Sequence, residues 1–100
     1  MADPITFVAL GTPDPEGAEA LARYAEAAVP MLVAAGGEPR FRARRVETLV
    51  GEDAPDTVFA VDFPDGDAVK GVLASDAYKA LVPDRDAAFR KVTFLLAEQF

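Results

Sequence analysis

Residues 5–10 (ITFVAL) form a short unbroken apolar run that Gly11, Pro13 and Pro15 bring to a stop, the pattern of a buried strand. The period then changes. Leu21, Ala25, Ala28, Leu32 and Ala35 recur at helical spacing and predict a helix across residues 14–37. Asp14 suits its N-cap, Pro15 its first position, and Gly36-Gly37 a left-handed stop. Pro30 lacks the N–H that would bond the Glu26 carbonyl, so a kink is expected there. Tyr24 falls beside the apolar stripe, at its rim.

Alternation at period two begins at residue 38: Arg40, Arg42 and Arg44 fall on one side, Phe41 and Ala43 on the other. Beyond Arg45 the apolar phase moves to Val46 and Val50, which predicts a bulge or bend near Arg44-Arg45 in a strand reaching residue 51. A turn (GEDAPDT) leads to a third strand over residues 58–63. Residues 64–81 read as helix, started by Asp65 or Asp67, weakened at Gly71 and recapped by Ser75. Pro83 ends it, residues 84–90 make a further turn, and residues 92–100 form the last strand.

The order β-α-β-β-α-β predicts an α+β, ferredoxin-like domain spanning residues 1–100, with a four-stranded antiparallel sheet and both helices on one face. Strands one, three and four are apolar on both phases, as in Phe7 with Val8, Phe59 with Val58, and Phe94 with Leu95. Helices cover one face only, so a second copy is expected to cover the other, giving a homodimer.

Composition narrows the chemistry. The chain has 100 residues, 51% hydrophobic, and carries 17 acids against 10 bases for a net charge of −7. That balance argues against nucleic acid and anionic membrane as partners. No apolar run reaches the length of a membrane helix and no basic segment precedes residues 5–10, so a cytoplasmic location is expected. The sequence contains neither Cys nor His, which removes thiolate and imidazole chemistry, and it has no phosphate-binding glycine loop. Neither a metal nor another cofactor is expected.

The remaining candidates for ligand contact are Arg42, Asp62, Tyr78 and Arg85. Each also has a structural reading. Ser75 caps a helix, Tyr78 is a core aromatic with its hydroxyl bonded at the rim, and Arg85 pairs Asp62 or Asp86 near a helix end. Arg42 faces inward in the dimer, where it meets an anionic ligand or pairs an acid such as Asp62 or Glu47.

These residues resemble a family: small bacterial proteins grouped as a domain of unknown function within the dimeric α/β-barrel superfamily. The marks are AVPMLVAAGG ending at Gly37, Arg42, LVG at 49–51, FAVDFPDGDA, and the spaced set Ser75, Tyr78, Leu81 and Arg85. Two positions depart from it: Val50 stands where the family carries an acid, and Val72 about where it carries an aromatic. The resemblance implies a ferredoxin-like dimer and assigns no reaction. Three functions remain open: binding of a small organic or anionic ligand in a sheet-lined cavity, cofactor-free oxygenase or isomerase chemistry of the dimeric-barrel type, and a ligand-free interaction dimer.

Overall fold

The computed structural model describes residues 4–100; the reading of the chain's start as lacking a basic leader rests partly on residues 1–3, outside that range. The elements are β1 (Ile5–Pro13), α1 (Ala18–Ala34), β2 (Glu38–Arg44), β3 (Thr57–Phe63), α2 (Gly66–Ala74), α3 (Asp76–Lys79), α4 (Val82–Ala88) and β4 (Phe89–Glu98). The sheet runs β2-β3-β1-β4 and every neighbouring pair is antiparallel. This is the expected ferredoxin-like order.

Register assigns the two faces, because side chains alternate along a strand. Phe7 and Val61 sit opposite one another, as do Ala9 and Phe59, and Ala9 and Phe94. These residues point at the helices, where Phe7, Leu32, Val61, Phe63 and Val69 form the buried core. Phe7 meets the Phe63 and Phe94 rings edge-on, at centroid distances of 6.5 and 5.2 Å. Val8, Leu10, Val58, Ala60 and Leu95 lie on the other phase, which no helix covers.

Several boundaries differ from expectation, each for a local reason. Asp14 does not cap α1. Its carbonyl accepts from Gly17 N–H at 2.9 Å and its carboxylate from Glu16 N–H at 2.9 Å, so DPEG folds as a turn with Pro15 at its second position. The N-cap is Gly17, pressed so close to the Ala87 carbonyl that no side chain fits. Helix α1 runs unbroken through Pro30, which faces solvent, and ends before Gly36 at φ 99°, a left-handed residue as expected. Pro83 does not end a helix either. It occupies the first turn of α4, where the missing N–H has no partner to lose.

The largest correction concerns β2. Its bulge lies between Pro39 and Phe41, not at Arg44-Arg45. The extra residue, Arg40, turns towards Asp62 on the uncovered face, with Nε 3.4 Å from the carboxylate. Arg42 and Arg44 pair with Phe59 and Thr57 and so lie on the helix side. The three arginines therefore do not share one face. The strand also stops at Arg44, and residues 45–56 form an arm instead of a continued strand. Its root is clamped: Arg45 N–H bonds the Asp56 carbonyl at 2.7 Å, and Arg45 Nη2 pairs the Asp56 carboxylate at 2.7 Å.

Candidate functional site

Between α1, α3 and the helix-facing side of the sheet lies an open cavity of about 520 Å³. It occupies the space within one subunit, between helices and sheet, and not the sheet-to-sheet chamber expected from the sequence. Its walls are mostly apolar: Phe7, Leu32, Phe59 and Phe94 contribute from four elements. Its polar spots are few, and the two tyrosines supply a matched pair. Such a lining, apolar with a few convergent polar groups, is the usual form of a small-molecule site.

Tyr24 comes from α1 and Tyr78 from α3, and their hydroxyl oxygens stand 2.7 Å apart. The rings meet edge-on at a centroid distance of 6.1 Å. Arg85, in α4, donates from Nη1 to the Tyr78 hydroxyl oxygen at 3.2 Å. Its guanidinium carbon lies 5.9 Å from the Tyr78 ring centroid and 5.8 Å from that of Phe94. Because Arg85 can only donate, Tyr78 accepts from it and keeps its own proton for Tyr24 or takes one from it. In the first case the Tyr24 hydroxyl is left free to donate into the cavity. Arg85 itself is not part of the cavity wall; it acts through Tyr78.

Burial, followed by the hydrogen bond from the Tyr78 side, holds the Tyr24 phenol well above the ordinary tyrosine range, only partly opposed by Arg85. Tyr24 is therefore a neutral donor or acceptor at physiological pH. On Arg85 burial acts downward, but the Tyr78 hydroxyl and the nearby Asp86 carboxylate outweigh it and the net shift is upward. Asp86 Oδ1 lies 3.5 Å from Nε, an ion pair rather than a hydrogen bond, and buried Nε has no hydrogen-bond partner among the described residues.

Ser75 holds the tyrosine in place. Its Oγ accepts from Tyr78 N–H at 3.2 Å and donates to the Val72 carbonyl at 2.7 Å, so one side chain closes α2 and opens α3. The expected capping role is met. A proton relay from Ser75 would need a base, and both its bonds go to backbone.

The other sequence candidates separate. Arg42 and Arg44 border the same cavity from β2, at its exposed edge. Asp62 does not join Tyr78 and Arg85. It accepts from Thr6 Oγ1 at 2.7 Å and pairs Arg40, on the uncovered side of the sheet. Of the two acids expected to pair Arg85, the structure brings Asp86 to it and leaves Asp62 on the other side of the sheet, and the Tyr78 hydroxyl joins as a further partner. Tyr24, placed at the rim of the stripe by the sequence, belongs to the site, since at 21, 24 and 28 it shares a face with Leu21 and Ala28. Among the described residues no group of three or more Asp or Glu is placed to hold a metal ion, and no helix is long and apolar enough to cross a membrane.

Solved structures share this fold. A protein of unknown function from Rhodopseudomonas palustris matches with a TM-score of 0.86 at 23% identity, over 100% of this chain and 85% of its own. A dimeric protein of unknown function and ferredoxin-like fold from Bacteroides fragilis matches with a TM-score of 0.64 at 11% identity, over 96% of each chain. An antibiotic biosynthesis monooxygenase matches with a TM-score of 0.66 at 20% identity, over 96% of this chain and 98% of its own. At these identities the likeness is one of fold. No curated protein matches the sequence. Residues 9–99 match the family described as Domain of unknown function (DUF1330), and the chain is a member of that family.

Proposed function

We propose that the protein works as a cytoplasmic homodimer of single-domain subunits, each of which binds a small, largely apolar organic molecule between α1 and the sheet. One observation carries this reading: a cavity of about 520 Å³ with apolar walls and a hydrogen-bonded hydroxyl pair set into them. Tyr24 meets a hydroxyl or carbonyl oxygen of the ligand, and Tyr78, backed by Arg85, polarises Tyr24. Arg42 at the mouth suits an anionic group on the part of the ligand that reaches solvent. Asp62, on the far side of the sheet, is left out of this contact set.

The dimer is supported by area. The subunit exposes 6825 Å². A monomer of its mass ordinarily exposes about 5,500 Å². The excess fits a flat body, 41 × 35 × 17 Å, with an uncovered apolar sheet face. A structural neighbour is described as dimeric.

The test is thermal unfolding against a panel of small phenols, quinones and aromatic or branched carboxylates. A true ligand at a hundred-fold excess over its Kd adds about 2.7 kcal/mol, a rise of about 10 °C or more for a domain this size. Tyr24→Phe is expected to cut that affinity about tenfold, and an unchanged affinity refutes the tyrosine contact.

A second reading is favoured by the relay itself. A phenol polarised through a second phenol by a guanidinium stabilises a developing oxyanion without metal or imidazole, as a cofactor-free oxygenase or isomerase requires. The monooxygenase among the neighbours shares the fold that such chemistry uses. Oxygen consumption or product formation with any ligand from the panel separates catalysis from binding. A panel with neither binding nor turnover leaves the ligand-free dimer.

A further inference from the structure

The arm between β2 and β3 breaks the rule that loops are polar. Val46, Leu49 and Val50 are 95%, 85% and 93% exposed. Among the described residues the arm's tip, residues 46–55, forms no hydrogen bond to the rest of the chain. Yet its root is fixed. Arg45 and Asp56 clamp it, Asp56 N–H bonds the Gly11 carbonyl at 2.9 Å, and Thr57 Oγ1 donates to the same carbonyl at 3.2 Å. Gly51 at φ 102° and Asp53 at φ 56° set the turn at its far end. A rigidly anchored segment that offers oily side chains to water is an interaction surface.

We propose that this arm is a clasp for a second copy of the same chain, with Val46, Leu49 and Val50 buried against the partner subunit. The inference rests on the dimer proposed above and adds the element that secures it. Area is the first argument. Four strands about 4.8 Å apart and seven residues long present a face of roughly 450 Å². A stable interface needs about 800 Å² per partner. Three Val or Leu side chains bring roughly 100 Å² each, which nearly closes the gap.

Charge is the second argument. Glu47, Glu52 and Asp53 on the arm have no ion pair among the described residues, and neither do Arg42, Arg44, Arg90 and Lys91. Arg90 and Lys91 lie at the Gly11 end of the sheet, Lys91 opposite Thr12 and so on the uncovered phase, whereas Arg42 and Arg44 lie on the helix side. An arm of acids around an oily tip matches an uncovered sheet face that carries Lys91 beside Arg90 at its Gly11 end, and both belong to this chain. In a two-fold dimer each arm meets the other copy's sheet, so the arm's acids and the Arg90-Lys91 pair are satisfied at once. An acidic arm does not suit an anionic membrane.

The experiment is native mass spectrometry with sedimentation equilibrium on the full chain, its Val50→Asp variant, and Lys70→Glu on the outer face of α2 as control. Val50 is almost fully exposed, and circular dichroism checks that the variant folds. We expect Val50→Asp to raise the dimer dissociation constant at least about tenfold and Lys70→Glu to leave it unchanged. In a chain without cysteine, Val50→Cys supplies a single thiol whose maleimide labelling slows at least about tenfold as the dimer forms. A dimer that tolerates Val50→Asp, or a thiol that labels equally fast in the dimer, overturns the clasp and leaves the dimer standing. A wild-type chain that stays monomeric at tens of micromolar overturns both.

Discussion

Replacing Tyr78 by phenylalanine removes one oxygen from which two other groups take their bonds. The ring stays, and at 3% exposure its packing stays with it. What is lost is the acceptor for Arg85 Nη1 at 3.2 Å and the partner of the Tyr24 hydroxyl at 2.7 Å. A hydrogen bond to a charged group contributes about 1.5–3 kcal/mol and a neutral one about 0.5–1.5 kcal/mol. The Arg85 side chain is 25% exposed, so water recovers part of the first loss. A net cost of about 2 kcal/mol follows, which lowers Tm by about 10 °C in a 100-residue chain. Tyr24→Phe breaks only the neutral bond and is expected to cost about 1 kcal/mol. The two effects are not additive, since removing either hydroxyl destroys the same bond. Urea unfolding of both single variants and the double variant measures all three quantities. Should Tyr78→Phe cost no more than Tyr24→Phe, or should the two add fully, the relay through Tyr78 does not exist as drawn.

Three further outcomes follow from the same geometry. Gly37→Ala would set a methyl 2.6 Å from the Leu32 carbonyl oxygen, 2.8 Å from Phe63 Cζ and 2.9 Å from Val61 Cγ1, so a loss of about 3 kcal/mol is expected from urea midpoints at unchanged m. Ser75→Ala forfeits the bond to Tyr78 N–H and is expected to cost about 1 kcal/mol, with Ser75→Thr recovering most of it. Tyr24 is held neutral in the fold above its ordinary value of 10.0, so its contribution is complete below about pH 10 and falls as pH rises beyond it, where the unfolded chain ionises first. Alkaline titration of stability should show that decline in the wild type and a shallower one in Tyr24→Phe.

The chemistry of local stretches was legible in the residues themselves. Ser75 caps because its hydroxyl lies three residues ahead of the backbone N–H it serves, and Gly36 ends a helix because the left-handed turn admits it; both relations span a few residues. The succession β-α-β-β-α-β followed from periodicity, and the need for cover on the second face from apolar residues on both phases. Other features depended on contacts between distant segments. The bulge at Arg40, which divides three evenly spaced arginines between two faces, is fixed by pairing with β3 and by Asp62, some twenty residues on. Gly17 starts α1 late because α4 lies against it, seventy residues away. Tyr24 and Tyr78 are 54 positions apart, and nothing in the spacing announces a bond between their oxygens. Sequence alone determined the succession of four strands and two helical regions and the apolar side of β1, α1 and β3, since periodicity is a local property of the chain. Which polar groups meet inside the cavity was decided only when α1, α3 and α4 packed on one sheet, because a hydrogen bond requires two oxygens within about 3 Å and only packing brings distant residues that close.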